Sequence, residues 1–213
     1  MPDGSLLDAI IGLAVLLVSI VIHENAHGVV ARALGDDTAH KAGRITLNPI
    51  PHLDLVGSLI IPAALYFSTN GAMMFGYAKP VPVTPSKLRG GDRSGFAIVA
   101  AAGPLSNFIL AFIAALAFDP SMLIDPDPTI LERVIMGGLV WNVTLAAFNL
   151  LPIPPLDGSR FLRVFLHTKG RQTLDRIEPY GFLIIFGLFY FLREPLFRIL
   201  DLIQGAIIRF LPI

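Results

Sequence analysis

The sequence contains no cysteine, so it can form no disulfide and offers no thiolate to a metal; histidine, aspartate and glutamate remain as the strong ligands. Charge is scarce as well, at 15% of residues, and 16 basic side chains cancel 16 acidic ones, so the bulk charge points to neither nucleic acid nor an acidic partner. Internal repeats, low-complexity tracts and long linkers are all missing, which leaves a single integral membrane domain over residues 1–213 as the simplest organisation. The first apolar run, Leu6 to Ile22, lacks the basic flank and small-residue cleavage site of a secretory signal and leads directly into His23-Glu24. It is expected to stay in place as a membrane helix.

What the chain has in abundance is apolar surface: 54% of residues are hydrophobic and the mean hydropathy is +0.69, beyond what a soluble core of this size requires. The pattern predicts an all-α, multi-pass fold. Leu6 to Leu34 reads as one helix stopped at Gly35. At about 1.5 Å per residue, its apolar part rises roughly 25 Å through a core about 30 Å thick, which puts His23 and His27 near the far face. Gly43 to Leu47 reads as a short strand ended by Asn48-Pro49. Leu53 to Phe67 is short for a crossing, and Lys79-Pro80-Val81-Pro82-Val83 must be extended. Phe96 to Phe118 and Ile130 to Leu151 are membrane helices, with one more crossing expected near Phe182 to Leu192, while Leu196 to Leu211 reads as an interfacial helix in preference to a weak crossing.

Charge placement sets the topology, because Lys and Arg collect on the cytoplasmic side. Residues before Leu6 and the loop Asp119 to Thr129 carry none, whereas Arg32 to Arg93 and Arg160 to Arg176 are rich in both. The two groups fall on opposite faces only if Leu53 to Phe67 does not cross, being either re-entrant or interfacial. The candidate site then lies at the cytoplasmic face of the membrane.

The chemistry concentrates in His23-Glu24-Asn25-Ala26-His27, an HExxH pattern. Four residues make about one helical turn, so both imidazoles leave one face and can share a metal, with Glu24 beside them as general base towards a water. Three ionisable groups at the end of an apolar helix are costly unless they form a site. A catalytic zinc has three protein ligands and an open position. His40, His52, His167 and the aspartates are candidates for the third, and Asp157 is the most suggestive: the prolines after Leu151 can turn the chain back, and the non-crossing topology puts it on the same face as His27.

These elements, together with Asn48-Pro49-Ile50-Pro51-His52, Gly76 to Pro82, Ala102-Gly103-Pro104-Leu105-Ser106-Asn107 and Asn149 to Gly158, resemble the site-2 proteases, a family of intramembrane zinc metalloproteases, over roughly His23 to Arg160. The resemblance is to a short form with no PDZ or CBS domain, having a catalytic core of about 6–160 and a helical region of about 161–213. It implies one Zn2+ held by His23, His27 and Asp157, with Glu24 as acid/base and Asn149 holding the substrate or its developing oxyanion. The implied partners are the lipid bilayer and a membrane-protein substrate with a transmembrane segment. On that basis the Arg44 to Leu47 strand would pair with the unwound substrate and the Lys79 to Pro85 loop would cap the way in. A non-proteolytic metal binder or transporter is the competing class, and Glu24 argues against it.

Among the remaining polar residues, Asn107 is expected to make an interhelical hydrogen bond. His52 is expected to order its loop, and Asn142-Val143-Thr144 is a glycosylation sequon placed by accident inside a membrane helix.

Overall fold

The computed structural model describes residues 6–61, 64, 67 and 78–213. Three helices form the centre: α1 (Leu6–Ala33), which is followed by a single turn, α2 (Thr38–Lys41), then α3 (Phe96–Leu116) and α4 (Ile130–Asn149). Each of α1, α3 and α4 is long and apolar enough to cross a membrane.

Their sidedness is the reverse of a soluble bundle. On α1 the buried stripe at four-residue spacing is Ser19, His23, His27 and Ala31, while Leu13, Val18 and Val29 face outward. On α3 the inner stripe is Val99, Gly103, Asn107, Ala111 and Ala115, with Ile98, Leu105, Ile109 and Phe112 outside. Polar and small residues inside with large apolar ones outside is the arrangement hydrocarbon favours, since lipid solvates the outer face and small residues let helices approach.

Helix ends follow local chemistry. The end of α1 is a Schellman turn: Asp36 N–H bonds Ala31 O at 2.9 Å and Gly35 N–H bonds Arg32 O at 3.0 Å, with Gly35 at φ 103°. At the start of α4, Thr129 and Glu132 close a capping box. At the same end of the bundle Arg133, a cation flanked by the acidic loop, pairs with Asp8 of α1.

Arg44 to Leu47 is not a strand, and no strand forms among the described residues. Side chains have taken the groups a partner strand would need: Thr46 O accepts from Asn25 Nδ2 (2.5 Å) and from His52 Nε2 (3.0 Å). Leu55–Ile60 is a π-helical turn capped by Asp54, and the rest of the Leu53 to Phe67 run lies largely outside the described residues. Its ends are nonetheless informative. Lys79 N–H bonds His52 O at 2.8 Å, so the two flanks of the run lie side by side.

After α4 come α5 (Asp157–Leu162), α6 (Thr168–Ile177), α7 (Gly181–Phe191) and α8 (Arg193–Ile208). The fourth crossing expected near Phe182 to Leu192 does not reach crossing length: α7 has 11 residues, a rise of about 16 Å. The helix α8 buries Leu196, Leu200 and Ile207 in a cluster with Ala146 and Ala147 of α4.

Just beyond α1, Asp36 is fully buried. It accepts bonds from Thr38 N (3.1 Å), Thr38 Oγ1 (2.5 Å) and Thr84 N (2.6 Å), so it ties the loop that ends at Thr84 to the end of α1. Burial alone would raise its pKa, but the bonds from Thr38 and Thr84 outweigh burial and hold it below the usual carboxylate range. A depressed folded-state pKa gives stability that is complete above the unfolded value near 3.9 and disappears as pH falls through the folded one. Asp36→Ala is therefore expected to cost about 3 kcal/mol at pH 7 and less at pH 3, below the unfolded value. Thermal unfolding in detergent at both pH values checks this; an equal loss at both would rule out the ionised clamp.

Candidate metal centre

The two histidines stand one turn apart on α1, with their rings 4.7 Å apart and close to perpendicular. Their Nε2 atoms are 3.1 Å apart. Asp157 Oδ2 completes the group, 3.1 Å from His23 Nε2 and 3.3 Å from His27 Nε2. All three residues are buried.

Asp157 reaches this point because the chain turns sharply after α4. Pro152 cannot continue the helix, and Gly158 of α5 lies against the carbonyls of Leu150 and Leu151 at the end of α4. A Cβ on Gly158 would lie 2.2 Å from Leu150 O and 2.4 Å from Leu151 O, so only glycine permits the approach. Arg160 and Arg163 of α5 place their guanidinium groups over the Phe96 ring, at 5.4 and 5.6 Å, fixing α5 against α3.

The outer nitrogens of both histidines are occupied. His27 Nδ1 bonds the backbone carbonyl of Val99 at 2.8 Å, and His23 Nδ1 bonds Asn107 Oδ1 at 2.6 Å. A carbonyl only accepts, so His27 carries a hydrogen on Nδ1 and turns Nε2 inward. Burial alone would raise the Asp157 pKa, yet the two imidazoles outweigh it and hold the carboxyl well below the usual range.

A buried carboxylate oxygen and two imidazole nitrogens within 3.3 Å of one another form a donor set that needs a cation. The separations match the edges of a tetrahedron with bonds of 2.0–2.1 Å, about 3.3 Å, which is the geometry of zinc with N and O ligands. The residues therefore fit zinc, and they are a group that could hold a metal ion.

Glu24 is half-buried on the same helix and accepts the Val81 N–H at 2.8 Å through Oε2. Val81 supplies the one N–H in Pro80-Val81-Pro82, and the segment that carries it is braced throughout. Arg44 donates to Lys79 O (2.7 Å), and Asp36 accepts from Thr84. Gly28 lies close beneath, where a Cβ would come within 2.9 Å of Ile45 and 3.3 Å of Val81.

Other candidates fall elsewhere. His40 is a surface residue near Arg32, His167 is exposed at the start of α6, and His52 orders its loop through Thr46 O. Asn149 donates to Leu145 O of its own helix at 3.0 Å rather than to a side chain of the triad. Asn107 makes the interhelical hydrogen bonds expected of it, and one of its two partners is a triad histidine. Gly103 and Asp36 carried no signal of their role beyond their place beside family-like elements or a helix end.

The family model described as Peptidase family M50 matches residues 127–192. "Putative zinc metalloprotease YwhC" of Bacillus subtilis is 39% identical over 180 residues, covering 82% of this chain and 77% of that protein. "Putative zinc metalloprotease MJ0611" of Methanocaldococcus jannaschii is 32% identical over 164 residues, covering 76% and 74%. "Putative zinc metalloprotease Rip2" of Mycolicibacterium smegmatis is 31% identical over 180 residues, covering 83% and 65%. No solved structure matches the chain. With 39% identity over most of both sequences and the HExxH and Asp157 side chains converging in space, the chain belongs to peptidase family M50, the site-2 protease family of zinc metalloproteases.

Proposed function

We propose that this chain hydrolyses peptide bonds within or beside transmembrane segments of other membrane proteins. The observation that carries the proposal is the convergence of His23, His27 and Asp157 on one point, with Glu24 on the adjoining position of the same helix. Zinc held there supplies Lewis acidity and acidifies water. Val81 N–H holds one oxygen of Glu24, and the other takes a proton from water and delivers it to the leaving amide nitrogen. Asn149, at the end of α4, exchanges its bond to Leu145 O for one to the substrate backbone or its oxyanion.

A helical substrate hides its carbonyls in hydrogen bonds, so it must unwind before it is cut. The braced 79–84 segment covers Glu24 on the face from which an unwound strand would come. The site sits at the end of the bundle that carries Arg32, Arg44, Lys79 and Arg160, opposite the Asp8–Arg133 pair. We assign that end to the cytoplasmic face of a multi-pass plasma-membrane protein in a bacterial or archaeal cell.

Removal of zinc by a chelator is expected to abolish cleavage of a transmembrane peptide by the purified chain in proteoliposomes, and restored zinc to recover it. Cleavage that persists in the metal-free protein would rule the proposal out.

A further inference from the structure

A row of buried polar side chains runs through the centre of the bundle and ends on the metal site. Ser19, Asn107 and Asn142 are each at most 2% exposed, although they lie on three helices that face hydrocarbon on their outer sides. His23 Nδ1 meets Asn107 Oδ1 (2.6 Å), and Asn107 Nδ2 donates to Asn142 Oδ1 (2.8 Å). Asn142 Nδ2 donates to Ser19 Oγ (3.0 Å) and to Gly138 O (2.8 Å), and Ser19 Oγ donates to Val15 O (2.8 Å).

The direction of this row is not a matter of choice. Backbone carbonyls only accept, so Gly138 O requires the amide nitrogen of Asn142, and Val15 O requires the Ser19 hydroxyl hydrogen. Asn142 must then present its oxygen to Asn107, which must donate to it and present its own oxygen to His23. His23 is left to donate from Nδ1, which makes Nε2 the nitrogen that faces Asp157 and His27. Reversing any link would set two acceptors or two donors against each other among buried groups, so the whole row is locked.

We propose that Asn107 and Asn142 are positioning residues for the metal centre: the carbonyls at Gly138 and Val15 determine, through them, which ring nitrogen of His23 faces the metal. This rests on reading His23 as a metal ligand. His27 provides the internal control, because its Nδ1 bonds the Val99 carbonyl directly and needs no relay. A purely packing role for the two amides would alter stability without singling out one histidine.

The test uses the full chain in detergent micelles, labelled with 15N in its histidine rings, as wild type and as Asn107→Ala, Asn142→Ala and Ser19→Ala. In the wild type, His23 Nδ1 is expected to stay protonated and hydrogen-bonded with or without zinc. Asn107→Ala and Asn142→Ala should give a tautomer mixture at His23 alone, with zinc affinity about 100-fold and 10-fold lower respectively. Ser19→Ala should change affinity less than about threefold, because Gly138 O still orients Asn142. A folded Asn142→Ala or Asn107→Ala protein that keeps the wild-type His23 signals and zinc affinity would overturn the proposal, as would equal disturbance of His23 and His27. If the wild type takes up no zinc, the metal-site reading fails, and the tautomer comparison still decides the relay on its own.

Discussion

Replacing Glu24 with glutamine is expected to lower peptide hydrolysis by about 10²–10⁴-fold while leaving bound zinc at the wild-type level. The substitution keeps the size of the side chain and an oxygen that can accept the Val81 N–H now held at 2.8 Å, so the loop over the site has no reason to move. It removes only the ability to take up a proton at neutral pH. Glu24 is outside the convergent triad, which is why zinc should be retained. A membrane metal binder or transporter built on the same three ligands would tolerate the change. Cleavage by Glu24→Gln at the wild-type rate and equal zinc content would therefore remove the protease function, and loss of zinc would make Glu24 a ligand.

Gly103→Ala should be nearly as damaging, though it touches no catalytic group chemically. A Cβ there would lie 2.5 Å from His23 Cε1, from His23 Nε2 and from His27 Nε2, distances that no carbon tolerates. Alanine favours a helix over glycine by about 1 kcal/mol, so propensity alone predicts a small gain in stability. The collision decides the sign. Neither ring can swing aside without breaking its bond to Asn107 or Val99, and the backbone of α3 can retreat only by loosening its close packing on α1. The expected cost is about 1–3 kcal/mol in stability and more than about 100-fold in zinc affinity, larger than the loss of one supporting bond. A zinc titration of the purified variant measures it; wild-type affinity would mean that α3 does not press on the histidines as described.

Much of this was legible in the residues themselves. The helix ending at Gly35, the start of α4 at Thr129 and the pairing of His23 with His27 follow from local rules: a glycine in the left-handed region, a capping box, and one turn between ligands. Asp157 was legible because prolines break α4 and charge placement puts the break on the right face. The false strand at Arg44 to Leu47 shows the limit of such rules. Its β-branched residues suit a strand, but no partner strand forms among the described residues, and Asn25 and His52 satisfy Thr46 O instead. Asn107 was harder for a different reason. An amide in an apolar helix signals only that a partner exists, and His23 stands 84 residues away in sequence. The run Phe182 to Leu192 had nearly the bounds of α7, but 11 residues rise only about 16 Å, too little for the crossing expected there.

The central claim is that His23, His27 and Asp157 together hold one zinc ion. Zinc-edge X-ray absorption of the purified full chain tests it most directly. The expected result is one zinc per chain in a four-coordinate shell of nitrogen and oxygen at about 2.0–2.1 Å with the scattering pattern of two imidazoles. A spectrum without imidazole scattering, or one unchanged when His27 is replaced by alanine, would contradict it.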